Sequence, residues 1–500
     1  MAVAFLQHQA PRASFAFPGP RVFLGAFLLA ASIFLFVDAR IAPIALPDES
    51  RIAGNALEMY FRGFSLVTTW EFRPELWNTK PPLLIWMSAL SMHLFGPTEW
   101  AFRLPSAFAA VGTLALTLWF VRKMSGSLAL ALGSACLLLF SPGFFGEHGA
   151  RTGEYDATLL FFVTAGLMLL MLALTRARPS TGLLAASGAM IALGALTKTI
   201  AAFIPVVGAL LYILVTRRTG RVLAGWKGYL LAGTIALAPL LIFYAAREAA
   251  EPGYLQAVLH NDIAGRYGQT IDTDPHGPLF YIDNLLRGWF FAGPLLLALP
   301  LAAPAMRGRL AVLGAYAGCI VAAGLLVYSS AGTRAMQYAL PLFPWLAILA
   351  ALTIRHLLLH FIVDPWRASR PAGPVIMALL LLGVGGILTE RALWWRYEGF
   401  PARQFYPQSS YGELFSSLSQ RGVNKLVIID PGVRHPDYNG YTPLLHWHRQ
   451  IWSRRGLATS HFHTDRRSPY PVASCEPGIY QRWSQPSVER IGQCAVRWPS

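Results

Sequence analysis

Charge is what this sequence has least of. Only 13% of its 500 residues are Asp, Glu, Lys or Arg, against about 25% in ordinary soluble domains, while 55% are hydrophobic. That scarcity excludes a soluble globule and requires a polytopic membrane protein. Lysine is rarer still, present only at positions 80, 123, 198, 227 and 425, so arginine supplies most of the formal charge of +16. An arginine excess would suit nucleic acid, but these arginines cluster in short loops between apolar runs, where cytoplasmic retention of positive charge accounts for them. Neither a Walker loop nor a Rossmann glycine pattern after a strand is present, which removes the usual nucleotide-binding signatures. Internal repeats, heptads and low-complexity segments are absent as well. No small-residue cleavage site follows the apolar run at about 22–37, and Asp38-Ala39-Arg40 comes next, so a retained first spanning helix is expected there.

What is present is a series of apolar runs near the spanning length of about 20 residues. They fall at 21–41, 103–121, 127–145, 156–175, 181–197, 199–216, 229–247, 288–306, 310–328, 335–353 and 374–391. A further run, 83–95, is too short to span and is expected to lie in the interface. The basic residues test that assignment. With 83–95 in the interface, Arg122-Lys123, Arg176 with Arg178, Arg217 to Lys227, Arg307 with Arg309, and Arg355 to Arg370 all share the side of the N-terminus. If 83–95 crossed, all of them would flip outside. The outer side then receives the first loop, 42–102, the link from Arg151 to Asp156, a third loop, 247–287, and everything after about Ala392.

The first outer loop carries Pro47-Asp48-Glu49-Ser50-Arg51 and Asn78-Thr79-Lys80-Pro81-Pro82. Ile52, Ala53, Ala56, Leu57, Tyr60 and Phe61 recur at helical spacing opposite Arg51, Asn55, Glu58 and Arg62, predicting an amphipathic helix on the membrane surface. Asp48-Glu49 suits a cap at its positive end or a general base facing a cleft. Lys80 suits a snorkelling anchor or a phosphate contact. Arg151 and Asp156 read equally as a structural ion pair or as groups lining the same cavity. Lys198, and Arg334 with Tyr338, fall on the same outer side. In the third loop His260, Asn261, Asp262, Arg266, Asp272, Asp274 and His276 crowd together without metal-ligand spacing. The tail from 393 changes character and carries one strand signal, Lys425 to Asp430, predicting a small α/β domain. Of the four cysteines, Cys136 and Cys319 lie in apolar runs, whereas Cys475 and Cys494 fall in this outer tail, where a disulfide is expected.

Taken together, Asp48-Glu49, Lys80-Pro81-Pro82-Leu83, Phe102 to Ser106, Arg151 with Asp156, Leu196-Thr197-Lys198, His276 to Tyr281 and Gln337 to Pro341 resemble a known family. It is that of the bacterial lipid-linked sugar transferases, relatives of the lipid A 4-amino-4-deoxy-L-arabinose transferase and, more distantly, of dolichyl-phosphate-mannose protein mannosyltransferases. The resemblance implies a GT-C fold of about 11–13 spanning helices plus juxtamembrane helices, here over 1–392, with a periplasmic C-terminal domain over 393–500. It also implies inverting transfer from a polyprenyl-phosphate sugar at the outer face of a bacterial inner membrane, with the N-terminus cytoplasmic. Carried over by position, Asp48 is the catalytic acid, Lys80 with Arg51 or Arg334 the phosphate contacts, and Asp156 and Tyr338 the cavity-lining partners; with the residues' own placement on the outer side, Asp48, Glu49 and Asp156 are the catalytic candidates, and Lys80, Arg51, Arg151, Arg334, Tyr338 and His276 the substrate-binding ones. One departure is Thr79: relatives that modify lipid A often carry Glu before this lysine, helping to hold a metal. No metal ligand is therefore assigned, with a divalent metal as the alternative reading. An envelope glycan or lipid A is the expected acceptor. The rival readings are a protein O-glycosyltransferase and, from another class, a lipid flippase or transporter, which would place its charges at mid-membrane.

Overall fold

The computed structural model describes residues 20–41, 44, 47–268, 276–359, 410–435, 438–483 and 487–499. Asp272, Asp274, the expected span 374–391 and the boundary at 392–393 lie outside the described residues. Helices α1 (Pro20–Ile41), α2 (Pro47–Arg62), α3 (Leu83–Phe95), α4 (Glu99–Ser125), α5 (Leu128–Leu139), α6 (Tyr155–Leu174) and α7 (Thr181–Lys198) form the first half. The second half adds α8 (Ile204–Val215), α9 (Trp226–Ala250), α10 (Gly308–Ser330) and α11 (Phe343–Leu358). Among the described residues six helical segments are long and apolar enough to cross a membrane. The lateral faces carry exposed Leu, Ile and Val side chains, as a lipid-facing surface requires.

Turn chemistry sets the helix ends. Thr98 caps α4 by accepting from the Ala101 N–H, and Gly126 ends it in the left-handed conformation (φ 74°). Ser127 then starts α5 by accepting from Leu130 N–H. Two spans are more broken than their hydropathy predicts. The run 288–306 is divided into short 3-10 and α turns, Gly293–Ala298, Leu299–Ala302 and Ala303–Ala305, because Pro294, Pro300 and Pro304 each remove a helical donor. The run 335–353 opens with a 3-10 turn, Met336–Leu342, holding Pro341.

Helices meet through small residues, as lipid-embedded helices do. A Cβ added at Gly188 of α7 would lie 2.3 Å from the Ala232 carbonyl oxygen of α9. One added at Gly208 of α8 would lie 2.3 Å from the Ile320 Cα of α10. These are backbone contacts, with no flexible side chain to yield.

Helix α2 is where the structure departs most from its expected surroundings. Its apolar face packs on α3 and α4, as the periodicity requires, but Arg51, Asn55 and Glu58 on the other face are buried too. The two-stranded β1 (Thr69–Trp70) and β2 (Arg73–Pro74) and the C-terminal domain cover them, so α2 is enclosed rather than lying on a membrane surface.

That domain holds α12 (Tyr411–Gln420) and α13 (Pro443–Ser453) with strands β3 (Lys425–Ile429), β4 (Val433–His435), β5 (Tyr438–Tyr441), β6 (Ala458–Phe462), β7 (Val472–Ser474), β8 (Val488–Ile491) and β9 (Cys494–Arg497). The main sheet runs β6-β3-β7-β9-β8, with β3 parallel to both neighbours and β9 antiparallel to both of its own. The unbroken apolar run of β3 is what a central parallel strand requires. Cys475 and Cys494 are disulfide-bonded, tying the end of β7 to the start of β9. The domain sits on α2 through α13. His446 Nε2 lies 2.9 Å from Glu58 Oε1, and the Trp447 ring meets that of Phe102.

The close helix crossings yield a stability test. Gly208→Val is expected to cost about 1–3 kcal/mol through backbone displacement, whereas Gly318→Ala, which has open space around its Cβ, should cost nothing. Thermal unfolding in detergent reads both, and equal melting temperatures would contradict the α8–α10 contact.

Candidate functional site

Adjacent acids on a helix diverge by about 100°, and at the start of α2 that rotation sends Asp48 and Glu49 to different places. The Asp48 side chain is exposed and lines a cavity of about 880 Å³ at one end of the helical bundle. Glu49 turns inward. It receives Arg103 in a bidentate pair, Nε to Oε1 at 2.5 Å and NH2 to Oε2 at 2.7 Å, and the Gly153 N–H at 2.8 Å. Gly153 is required at that point, since a Cβ there would lie 2.2 Å from the Phe102 ring. Glu49, expected among the catalytic acids, is therefore a buried clamp between α2, α4 and the link before α6.

Arg51, expected to bind substrate, is also enclosed. Its guanidinium pairs with Glu75 and stacks 3.7 Å from the Trp70 ring centre. Glu75 in turn accepts from Asn55 at 2.7 Å, and Asn78 bridges Asn55 and the Tyr155 hydroxyl, each at 2.9 Å. This polar ladder fixes the segment that delivers Lys80.

Lys80, mostly buried, donates to Asp262 Oδ1 at 2.8 Å and to Thr79 Oγ1 at 3.0 Å. The Thr79 hydroxyl donates to Asp262 Oδ2 at 2.9 Å. Burial pulls the Lys80 ammonium down to about 8, against the opposing pull of Asp262. Asp262 sits on the π-helical turn Leu259–Gly268, which also carries Arg266. The latter donates to the Tyr338 hydroxyl at 2.9 Å. From α7 comes Lys198, 2.6 Å from Asp156 Oδ1 at the start of α6 and 5.3 Å from the Tyr338 ring centre. Thr199, next to it, holds a positive φ of 51° that turns the chain out of α7.

The cavity therefore gathers Asp48, Lys80, Asp156, Lys198, Arg266 and Tyr338. It also gathers His148 and Glu154, which sequence reasoning missed. They are ion-paired with each other. Burial works against the His148 charge, but the Glu154 carboxylate overrides it and holds the imidazole up at about 9; burial drives Glu154 itself up to about 7. Together with Asp156 they offer three donor atoms within 4.8 Å of one another. The spacing Glu154-x-Asp156 was visible in the sequence, but His148 lies in a link without periodicity.

Besides Glu49 and Arg51, three expected residues do not reach the cavity. Arg151 is buried in that link and is not a lining residue, whereas Asp156 lines the cavity and pairs with Lys198. Arg334 donates to the carbonyls of Ser329 and His276. His276 is exposed and stacks on Phe280 at 4.3 Å.

Beside the main cavity lies a recess of about 120 Å³ that shares Lys80, Asp156, Lys198, Arg266 and Tyr338 but is otherwise walled by apolar groups such as Leu159, Ile200, Ile204 and Val327. Cations thus stand between a polar chamber and a greasy slot.

Residues 79–244 match the dolichyl-phosphate-mannose-protein mannosyltransferase family. The chain is 27% identical over 365 residues to an undecaprenyl phosphate-alpha-4-amino-4-deoxy-L-arabinose arabinosyl transferase of Pectobacterium atrosepticum, covering 68% of this chain and 62% of that one. It is 29% identical over 190 residues to a protein of Aquifex aeolicus, covering 38% of this chain and 37% of that one. The chain thus spans less than two thirds of the length of these curated relatives. The structure of ArnT from Cupriavidus metallidurans bound to undecaprenyl phosphate superposes with a TM-score of 0.65 at 19% identity, covering 95% of this chain and 97% of that one. Archaeal oligosaccharyltransferase AglB from Archaeoglobus fulgidus gives 0.51 at 12%, covering 88% and 65%. The likeness is one of fold, and that fold is GT-C.

Glu49→Gln tests the clamp. Leaving Arg103 without its charge partner is expected to cost about 3–5 kcal/mol of stability. A variant that melts with the wild type while its chemistry fails would return Glu49 to the catalytic set.

Proposed function

We propose that this chain, a GT-C relative of the bacterial lipid-linked sugar transferases, is a multi-pass inner-membrane glycosyltransferase that moves a sugar from a polyprenyl-phosphate donor to an envelope acceptor at the periplasmic face. One observation carries the reading: Lys80, Lys198 and Arg266 converge where the polar cavity meets the apolar recess, with the Asp48 carboxylate in the same chamber. A polyprenyl-phosphate sugar has just that division, an anionic phosphodiester joined to hydrocarbon, and its departing phosphate gains a second charge.

In the reaction the bond between the anomeric carbon and the phosphate oxygen breaks while an acceptor oxygen attacks from the opposite face, inverting the carbon. Negative charge grows on the departing polyprenyl phosphate, and fixed cations stabilise it more than they stabilise the bound donor. Lys80, Lys198 and Arg266 fill that role, with the Tyr338 hydroxyl as a further polar contact. Asp48 takes the proton of an acceptor hydroxyl. Toward a phosphate acceptor, such as that of lipid A, the proton is already absent and Asp48 orients the acceptor. Asp156 holds Lys198 in place. The arabinosyl transferase relatives support an undecaprenyl-phosphate sugar donor, and the mannosyltransferase match over 79–244 favours protein O-glycosylation as the second reading. A transporter is disfavoured because the charged groups gather at one end of the bundle.

Two outcomes are expected. Membranes carrying Asp48→Asn or Lys80→Ala, supplied with radiolabelled undecaprenyl-phosphate sugars, should lose transfer about 100-fold or more; undiminished transfer by both would sink the assignment, and no transfer by the wild type with any donor would favour the transporter. Because the free Lys80 ammonium is lost as pH rises through about 8, affinity for undecaprenyl phosphate should fall above that pH, by up to about tenfold per unit. Lys80→Arg should flatten the decline in a binding titration, and an unchanged profile would show that Lys80 is not the group responsible.

A further inference from the structure

We propose that His148, Glu154 and Asp156 form a divalent-metal site of zinc type in the wall of the same cavity, and that its occupation releases Lys198 for the donor phosphate. The second half of this inference rests on the transferase reading; the first does not.

The three side chains come from one short stretch folded tightly on itself. The His148 N–H donates to Thr152 Oγ1 at 3.0 Å, and the Ala150 N–H to the Phe144 carbonyl at 2.8 Å, which turns the imidazole back toward the start of α6. One atom from each ligand lies within 4.8 Å of the others. Ligands about 2.0–2.2 Å from a tetrahedral ion stand roughly 3.4 Å apart, a separation close to the one these three atoms already keep.

A plain His148–Glu154 ion pair leaves part of the site unexplained. Glu154 is only 2% exposed, yet its Oε1 has no hydrogen-bond partner among the described residues. Orphaning one oxygen of a buried carboxylate is costly, and a cation beside it supplies the missing partner. All three residues line the cavity, so an ion held by them keeps an open position toward solvent or substrate, as in zinc sites with three protein ligands. One imidazole nitrogen with two carboxylates suits zinc, manganese or cobalt better than calcium or magnesium, which favour oxygen alone, or copper(I), which favours sulfur.

Asp156 is shared. Its Oδ1 now holds Lys198 Nζ at 2.6 Å. An ion bound to that carboxylate takes up its charge, leaving the Lys198 ammonium to face the cavity and the anionic donor. Metal and donor phosphate should therefore bind with positive coupling.

The test uses the full chain in detergent, stripped with chelator and titrated with Zn²⁺ alone. One ion per chain is expected by mass spectrometric metal analysis, with Co²⁺ showing the visible bands of a low-coordinate nitrogen and oxygen site. His148→Ala and Glu154→Gln should each weaken binding roughly 100-fold or more, while His276→Ala should leave it intact. Binding equal in wild type, His148→Ala and Glu154→Gln, or no binding by the wild type, overturns the site. Should His148→Ala fail to fold, the near-isosteric Glu154→Gln and the wild-type cobalt spectrum decide. For the coupling, Zn²⁺ should tighten undecaprenyl phosphate binding several-fold in the wild type and not in Lys198→Ala; equal tightening in both overturns the release of Lys198. A loaded site with no sugar transfer from any donor would count against the transferase reading alone, and transfer without a site would count against this one alone.

Discussion

The pair between Glu49 and Arg103 governs where the chemistry sits. A carboxylate and a guanidinium, each almost wholly buried, are stable together only with close geometry and a further donor, which the Gly153 N–H provides. Through that one clamp the first turn of α2, the start of α4 and the link ahead of α6 are held at fixed spacing. Asp48, one residue earlier, is presented to the cavity because its neighbour cannot turn. The acid that faces the cavity is positioned by the acid that does not.

A similar division of labour recurs around the cavity. Arg51 and Glu75 close the underside of the Lys80 segment, and Tyr254 donates to the Thr79 carbonyl at 2.6 Å from the third loop. Glu58, on the far side of α2, accepts from the Phe72 N–H at 3.1 Å and meets His446 of the C-terminal domain. That domain is therefore a roof over the helix that carries Asp48, and its disulfide stiffens the sheet behind the roof.

How much of this was legible follows from the reach of each signal. Hydropathy marked the spans, and charge asymmetry put Asp48, Lys80, Asp156, Lys198 and Tyr338 on one side, where the structure gathers them in one cavity. Helical periodicity identified α2 but not what covers it, because the partner of Glu58 is nearly four hundred positions away. Nothing local separates Asp48 from Glu49; a rotation of one residue and a distant arginine do. Arg51 and Arg334 read as substrate contacts because a sequence shows charge without the partners and burial that a fold supplies. His148 and Glu154 went unread because folded links have no period, and Pro294, Pro300 and Pro304 broke a span that averaging over a window had smoothed.

The cations of the cavity are not waiting empty-handed. Lys80 leans on Asp262 and Lys198 on Asp156, so any arriving anion must outcompete a carboxylate that is tethered in place. An inorganic phosphate, with charge and nothing else, meets that competition from water and has little to offset it. An anion whose hydrocarbon tail enters the apolar recess at the same moment gains burial along with charge. On the lipid-phosphate reading proposed above, the chamber is a coincidence detector for charge and hydrocarbon together, and the internal ion pairs set its threshold.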